Sequence, residues 1–260
     1  MLQDWGAVAN EISEWISDYA AKAGITTLVI GVSGGIDSAV TSTLCARTGM
    51  ETIALNMPIH QDPSQFNLSN RHMEWMQSNW KNTDARTIDL TETYDAFCQE
   101  LGEQQPSPLA LANSRARLRM STLYAIAASS NGIVVGTGNK VEDFGVGFFT
   151  KYGDGGVDIS PIADLYKSEV YSLADALEVI QEIQDASPTD GLWDDGRTDE
   201  DQLGASYAEL EWAMEEVENP SGHGHSDREK EVLERYLELN AANSHKMNPI
   251  PVFQMSGRLH

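Results

Sequence analysis

A chain of 260 residues, 41% hydrophobic and 22% charged, is long enough for one large α/β domain and is composed like an ordinary globular protein. Its 17 Lys and Arg against 40 Asp and Glu leave a net charge of −23, which excludes a nonspecific nucleic-acid binder, because that function needs a basic face. No run reaches the roughly 18 apolar residues of a membrane span. The acidic N-terminus lacks a signal-peptide pattern, and just two cysteines, Cys45 and Cys98, fit a reducing, cytoplasmic compartment better than a disulfide framework.

Residues 4–23 carry Trp5, Val8, Ile12, Trp15, Ile16 and Tyr19 at helical spacing, and Gly24 closes the helix. Residues 26–32 are a short β-branched apolar run, the pattern of a strand buried on both faces. A Gly-rich turn then opens a helix over 37–47. A second strand over 51–57 ends at Pro58, residues 64–80 read as helix, and 85–90 as a third strand followed by a helix from Thr91. A long helix over 109–130 precedes a fourth strand at 132–137, and further helices are expected near 167–183, 203–217 and 226–241. This alternation predicts an α/β fold, a Rossmann-like doubly wound parallel β-sheet flanked by helices, with ligands at the carboxyl ends of the strands. The stretches 144–164 and 186–202, rich in Gly, Asp and Thr, are long enough to be functional loops. Residues 60–70 and 186–202 are expected to close on ligands.

The scarce cations are gathered. Arg115, Arg117, Arg119, Lys140, Lys151 and Lys167 lie in one segment, whereas 185–218 holds one base, Arg197, among many acids. An acidic chain that concentrates its cations uses them on an anionic ligand. Gly31-Val32-Ser33-Gly34-Gly35-Ile36-Asp37-Ser38 begins at the end of the first strand and opens a helix. Such a turn aims backbone N–H groups and a helix dipole at one spot, which suits a phosphate. Asp37 would repel that phosphate unless a divalent cation lay between them, so Asp37 reads as a Mg²⁺ ligand. Neither a Walker loop nor G-x-G-x-x-G is present. On the long helix Arg115 and Arg119 share a face and Arg117 points elsewhere. Gly222-His223-Gly224-His225 falls short of any zinc spacing, and Cys45 reads as core packing.

The S-G-G-x-D-S loop resembles that of the N-type ATP pyrophosphatases, which cleave ATP between its α and β phosphates. Asn113-Ser114-Arg115-Ala116-Arg117-Leu118-Arg119-Met120, Gly136-Thr137-Gly138-Asn139-Lys140-Val141-Glu142 and Phe149-Thr150-Lys151-Tyr152-Gly153-Asp154-Gly155-Gly156-Val157-Asp158 narrow the resemblance to the NAD synthetase family, over almost the whole chain. The resemblance implies the adenine nucleotide α-hydrolase-like form of the fold and a single NAD synthetase domain over residues 1–260. It implies ATP on residues 31–38, Thr137, Lys167 and Thr189, and deamido-NAD on Arg117, Lys151, Asp158, His245 and Lys246. Glu142 joins Asp37 on Mg²⁺, and Asp37, Lys151 and Lys167 carry catalysis. His245-Lys246 departs from the family downstream, continuing Met247-Asn248-Pro249-Ile250-Pro251 instead of basic residues and adjacent prolines. The implied reaction adenylylates the nicotinate carboxylate of deamido-NAD and passes it to ammonia, in a homodimer with no nucleic-acid or membrane partner. Glutamine-dependent members carry an amidase domain, for which the short stretch before the first strand leaves no room, so free ammonia is the expected donor. Another pyrophosphatase of the superfamily acting on a different carboxylate is the alternative, and a nucleotide sensor without turnover is a second.

Overall fold

The apolar run that follows the first helix becomes the strand next to the sheet's switch point. In this computed structural model, residues 3–189 and 198–255 are described. Four parallel strands, β1 (Thr27–Gly31), β2 (Glu51–Asn56), β3 (Thr83–Thr87) and β4 (Gly132–Val135), stand in the order β3-β2-β1-β4. Thr27 is paired with both Glu51 and Gly132, so β1 is flanked on each side and its Leu28, Val29 and Ile30 are fully buried. Reversal of strand order between β1 and β4 opens a crevice at their carboxyl ends, the ligand-binding place of doubly wound sheets.

Both faces are covered. On one, α1 (Trp5–Lys22), α2 (Ile36–Arg47) and α6 (Lys167–Ala176) pack Ile16, Leu44 and Leu173 against Leu28, Ile30 and Val135. On the other, α4 (Thr91–Leu101) and α5 (Pro108–Ser129) pack Tyr94, Met120 and Leu123 against Val29, Ile53 and Val134. α2 is buried nearly all round, because its small Ala, Ser and Thr side chains admit α1, α3 (Pro63–Asn79) and α6 closely. Its hydroxyls return to the helix itself, as Thr43 does to the Ala39 carbonyl at 2.7 Å. Cys45 lies in this core as expected, and both cysteines are unpaired.

A third apolar cluster sits beyond the carboxyl edge of the sheet. It joins a π-helical turn (Val141–Val146) to α8 (Asp199–Leu203), α9 (Tyr207–Glu218) and α10 (Asp227–Met247) through Val141, Leu203, Leu210, Met214 and Tyr236. Asn240 and Asn243 of α10 donate to the Gly145 and Val146 carbonyls at 2.7 and 2.9 Å, capping the widened turn. This cluster fixes the far wall of the crevice.

Several expected boundaries move. The third strand runs over Thr83–Thr87 instead of 85–90: it is an edge strand of polar composition, so Ile88 and Leu90, which bury beyond its end, drew the expectation onward. The expected helix over 167–183 breaks at Glu178, whose φ of 57° turns the chain so that Val179 re-enters the core, followed by Ile183 from a second short helix, α7 (Gln181–Gln184). The helix placed at 203–217 starts at Tyr207: Gly204, at φ 79°, ends α8, and Ser206 with Glu209 forms a new capping box. Residues 63–70 of the expected closing segment belong to α3. Of the 186–202 segment, residues 190–197 lie outside the described residues.

His72 gives the core an acid weakness. It is fully buried on α3, with Nε2 2.9 Å from the Ser42 hydroxyl and its ring stacked on Trp75 at 5.5 Å. Burial lowers its pKa to about 4. The unfolded chain binds this proton below about pH 6.5 and the folded chain does not, so stability falls as pH drops from 6.5 towards 4, by on the order of 3 kcal/mol. Urea titrations of wild type and His72→Leu at pH 7.5 and 5 check this. The stability difference shifts in favour of the variant at pH 5, and a difference independent of pH contradicts it.

Candidate active site

The loop expected to hold phosphate follows from β1. The Val32 N–H still donates to the Leu55 carbonyl of β2 at 2.8 Å, after which the chain turns at Gly34, φ 93°. A Cβ there would stand 2.8 Å from the Gln65 carbonyl of α3, so glycine is required by conformation and by space. The Gly35 N–H donates to the Ser33 hydroxyl at 3.2 Å, and Ser33 and Ser38 hydroxyls meet at 3.1 Å. Gly35 is the N-cap of α2 and supplies no capping side chain, which leaves the first-turn N–H groups to a ligand.

At the next strand end lies a buried charge cluster. Lys167 opens α6, is 3% exposed, and donates through Nζ to Asp37 Oδ2 at 2.5 Å and Glu142 Oε1 at 3.1 Å. Asn139 donates to Asp37 Oδ1 at 3.1 Å and accepts the Glu142 N–H at 3.1 Å. The Tyr207 hydroxyl donates to Glu142 Oε1 at 2.6 Å and lies 3.3 Å from Asp199 Oδ2, and its ring lies under the Lys167 ammonium at 4.7 Å. Burial raises the Asp37 carboxyl, aided by Glu142 and opposed by Lys167. Burial also works against Glu142, but the Lys167 ammonium and the Tyr207 hydroxyl outweigh it and hold that carboxyl below its ordinary range. The two carboxylates in turn hold Lys167 charged against its burial. Asp143, half-buried on the same turn, is pushed up to about 8 by burial and by the neighbouring carboxylates, Glu142 first.

Asp37 and Glu142 thus converge on a single cation. Two hard oxygen donors beside a phosphate loop match magnesium, which takes one or two carboxylates together with phosphate and water oxygens. Among the described residues no three His, Cys, Asp or Glu are grouped so that they could hold a metal ion by themselves, so phosphate and water would complete such a shell.

The cavity between these elements measures about 650 Å³, within the range of small-molecule sites. It brings together residues 31–38, Thr137, Glu142, Lys151, Lys167, Thr189, Arg117, His245 and Lys246. Asp158 is not in its lining. Tyr124 donates to Asp158 Oδ1 at 2.9 Å and the Val134 N–H to Oδ2 at 2.8 Å, on the α5 side of β4. The expectation that Lys167 meets ATP phosphates acquires a second part, because its ammonium already serves two carboxylates.

The other cations of the cavity behave differently. Arg117 donates to the Lys151 carbonyl at 3.2 Å, Lys151 to the His245 carbonyl at 2.6 Å and Lys246 to the Phe149 carbonyl at 2.8 Å. Arg119 donates to the Met57 carbonyl at 2.9 Å. Among the described residues, none of the four is joined to a carboxylate. Sequence reasoning missed Asn139, Asp143, Tyr207 and Asp199. Asn139 and Asp143 sit in or beside a quoted motif, whereas Tyr207 and Asp199 had no signal beyond helix capping and periodicity.

Fold and site together define a doubly wound α/β protein with a Gly-rich loop and a buried charge cluster at the sheet's switch point. The family model for NAD synthase matches residues 8–250. The NH(3)-dependent NAD(+) synthetase of Alkaliphilus metalliredigens is 39% identical over 249 residues, 93% of this chain and 96% of that one. That of Archaeoglobus fulgidus is 37% identical over 247 residues, covering 94% and 95%. Among solved structures, NMN synthetase from Francisella tularensis superposes with a TM-score of 0.86 at 33% identity, covering 97% of this chain and all of that one. NH3-dependent NAD synthetase from Campylobacter jejuni, in complex with the nitrate ion, superposes with 0.79 at 26% over the same shares. The chain belongs to the NAD synthase family.

Proposed function

We propose that the chain is a ligase that amidates deamido-NAD to NAD with ammonia and ATP. One observation carries this reading: in a chain of net charge −23, four cations without carboxylate partners among the described residues line the cavity that also holds the phosphate loop. Such a cavity is built for more than one anionic substrate. The relatives named for NH(3) support ammonia as the nitrogen donor.

A carboxylate resists ammonia because its leaving group is poor. The nicotinate carboxylate oxygen attacks the α-phosphorus of ATP, the α–β P–O bond breaks and pyrophosphate leaves. Ammonia then attacks the acyl carbon, the C–O bond to AMP breaks, and the nitrogen gives up a proton to water to form the amide. No protein nucleophile is needed. The loop of residues 31–38, with Thr137 and Thr189, holds ATP, and Lys167 keeps Asp37 and Glu142 aligned and adds positive charge near the leaving group. Asp37 and Glu142 would hold magnesium, which when bound neutralises the departing pyrophosphate. Arg117, Lys151, His245 and Lys246 receive the acidic dinucleotide, with Lys151 nearest the charge that develops. Asp158 is the further residue this reading gives to deamido-NAD, on the α4 and α5 face where Phe97, Leu109 and Tyr124 stay exposed, the surface assigned to a second copy in a homodimer. The family domain is taken to span the whole chain. No helix among the described residues is long and apolar enough to cross a membrane.

The Francisella neighbour adds a second reading, amidation of the mononucleotide carboxylate that would yield NMN. An end-point assay with ATP, magnesium and ammonium, offering deamido-NAD and nicotinate mononucleotide separately and glutamine in place of ammonium, tests both. NAD formed from deamido-NAD with ammonium, and faster than NMN from the mononucleotide, is the expected result. Faster mononucleotide turnover selects the second reading, and AMP release with neither overturns both.

A further inference from the structure

The proposed reaction assigns Arg119 no ligand group of its own. It lies on α5, one turn beyond Arg115, in the wall of the cavity. Nε donates to the Met57 carbonyl at 2.9 Å, at the carboxyl end of β2, and Nη2 lies 3.4 Å from the Gln61 side-chain oxygen. Those contacts hold one edge of the guanidinium against the Met57 carbonyl and the Gln61 side chain. Arg115 is turned away, over the Tyr94 ring at 5.6 Å. Residue 119 is half-buried, and the exposure it keeps opens onto the cavity.

Lys167, the other cation sunk in this wall, carries two carboxylates on its ammonium. Arg119 carries none among the described residues. Asp154 acts on it only through the field, and burial, with Arg115 beside it, lowers the guanidinium to about 10. A desolvated cation without a counter-ion is unfavourable, and its carbonyl and amide partners supply partial charge only. The Nη edge not committed to Met57 and Gln61 is a planar pair of donors, the shape that fits a carboxylate or phosphoryl group.

We propose that Arg119 is an oxyanion-binding residue of this cavity, whose counter-ion is a carboxylate or phosphoryl group of a substrate. This deepens the ligase reading and rests on it for the choice of ligands. It adds Arg119 to Arg117, whose exposed guanidinium also donates to the Lys151 carbonyl.

Calorimetric titration of wild type, Arg119→Lys and Arg119→Met with ATP, deamido-NAD and nicotinate, each alone, tests it. One class of ligand is expected to lose affinity roughly 30-fold in Arg119→Met, the scale of a charge-assisted hydrogen bond. Arg119→Lys keeps the charge but not the planar fork, and so falls between the two. Loss confined to deamido-NAD and nicotinate assigns the carboxylate, and loss confined to ATP assigns a phosphoryl group. Either upholds the proposal, including the case in which wild type binds ATP but not deamido-NAD and the ligase reading itself fails. The proposal is overturned if no ligand separates Arg119→Met from wild type by more than twofold. It is also overturned if all ligands weaken equally alongside a lower melting temperature in both variants, the signature of a structural brace.

Discussion

Lys167→Met is expected to lose 100-fold or more in kcat, on the scale of about 10²–10³ seen when one preorganised charge-stabilising group is removed, and to be less stable by about 3–5 kcal/mol at neutral pH. The side chain is 3% exposed and its ammonium is the common partner of Asp37 and Glu142. Methionine fills much of the same volume, so the loss is electrostatic: two carboxylates are left facing each other in a crevice, with Asn139 and Tyr207 still donating to them. The direction with pH follows from the shifts. The Lys167 pKa is raised, so its stabilisation is fully present at neutral pH and is lost only as pH rises through that higher value. The Glu142 carboxyl is lowered, so its contribution is present above its unfolded value and fades as pH falls below that. Without the ammonium both carboxyls move upward, and the variant is penalised most where the unfolded chain is fully ionised. The stability gap between wild type and Lys167→Met therefore narrows between pH 7.5 and 5.5. Urea midpoints at those two values decide it: an equal gap at both would assign the loss to packing instead of charge.

That cluster also marks what the sequence could and could not reveal. The Gly-rich turn after β1 was readable because its shape depends on local properties, glycines that permit the turn and a helix start with no capping side chain. The arginine faces of α5 were readable for the same reason, since helical periodicity alone separates Arg119 from Arg117. Contacts closed by the fold were not. Lys167 and Asp37 are 130 residues apart in sequence, and nothing in either motif says that the ammonium lies between the two acids expected to hold magnesium. Tyr207 sits at the first position of α9, where an aromatic reads as core, yet its hydroxyl is aimed at Glu142. Asp158 lies in a recognisable signature, but the pairing of β4 with the chain at Ile159 turns its carboxylate to Tyr124, away from the cavity. The edge strand β3 and the break at Glu178 were misplaced because hydrophobic periodicity reports what is buried, not where hydrogen-bonded pairing stops.

Gly34→Ala is expected to cost roughly 100-fold in kcat/KM for ATP, the scale on which a displacement of about 1 Å misaligns reacting groups. Two terms add at this residue. Its φ of 93° is strained for any side chain, which costs about 1–2 kcal/mol. Its Cβ would also stand 2.8 Å from the Gln65 carbonyl, 3.2 Å from the Ser69 nitrogen and 3.3 Å from the Leu68 Cβ. The nearest atoms belong to the backbone of α3, which cannot rotate aside, so the loop must move away from the helix. That shift carries with it the Gly35 N–H and the Ser33–Ser38 hydroxyl pair that shape the loop proposed to hold the phosphates. Gly49→Ala is the control. Gly49 has a comparable φ of 76°, but a Cβ there would meet nothing within 4 Å, and the residue lies between α2 and β2 at the opposite end of the sheet. Backbone strain alone would lower the melting temperature of both variants by similar amounts and leave ATP kinetics alone in Gly49→Ala. If Gly34→Ala matches Gly49→Ala in kcat/KM, the loop tolerates displacement and its N–H groups are not what holds the phosphates. If it alone loses activity while ATP at saturating concentration restores part of kcat, the loop acts chiefly by binding, and the alignment of the reacting atoms rests with Lys167 and the two carboxylates it holds.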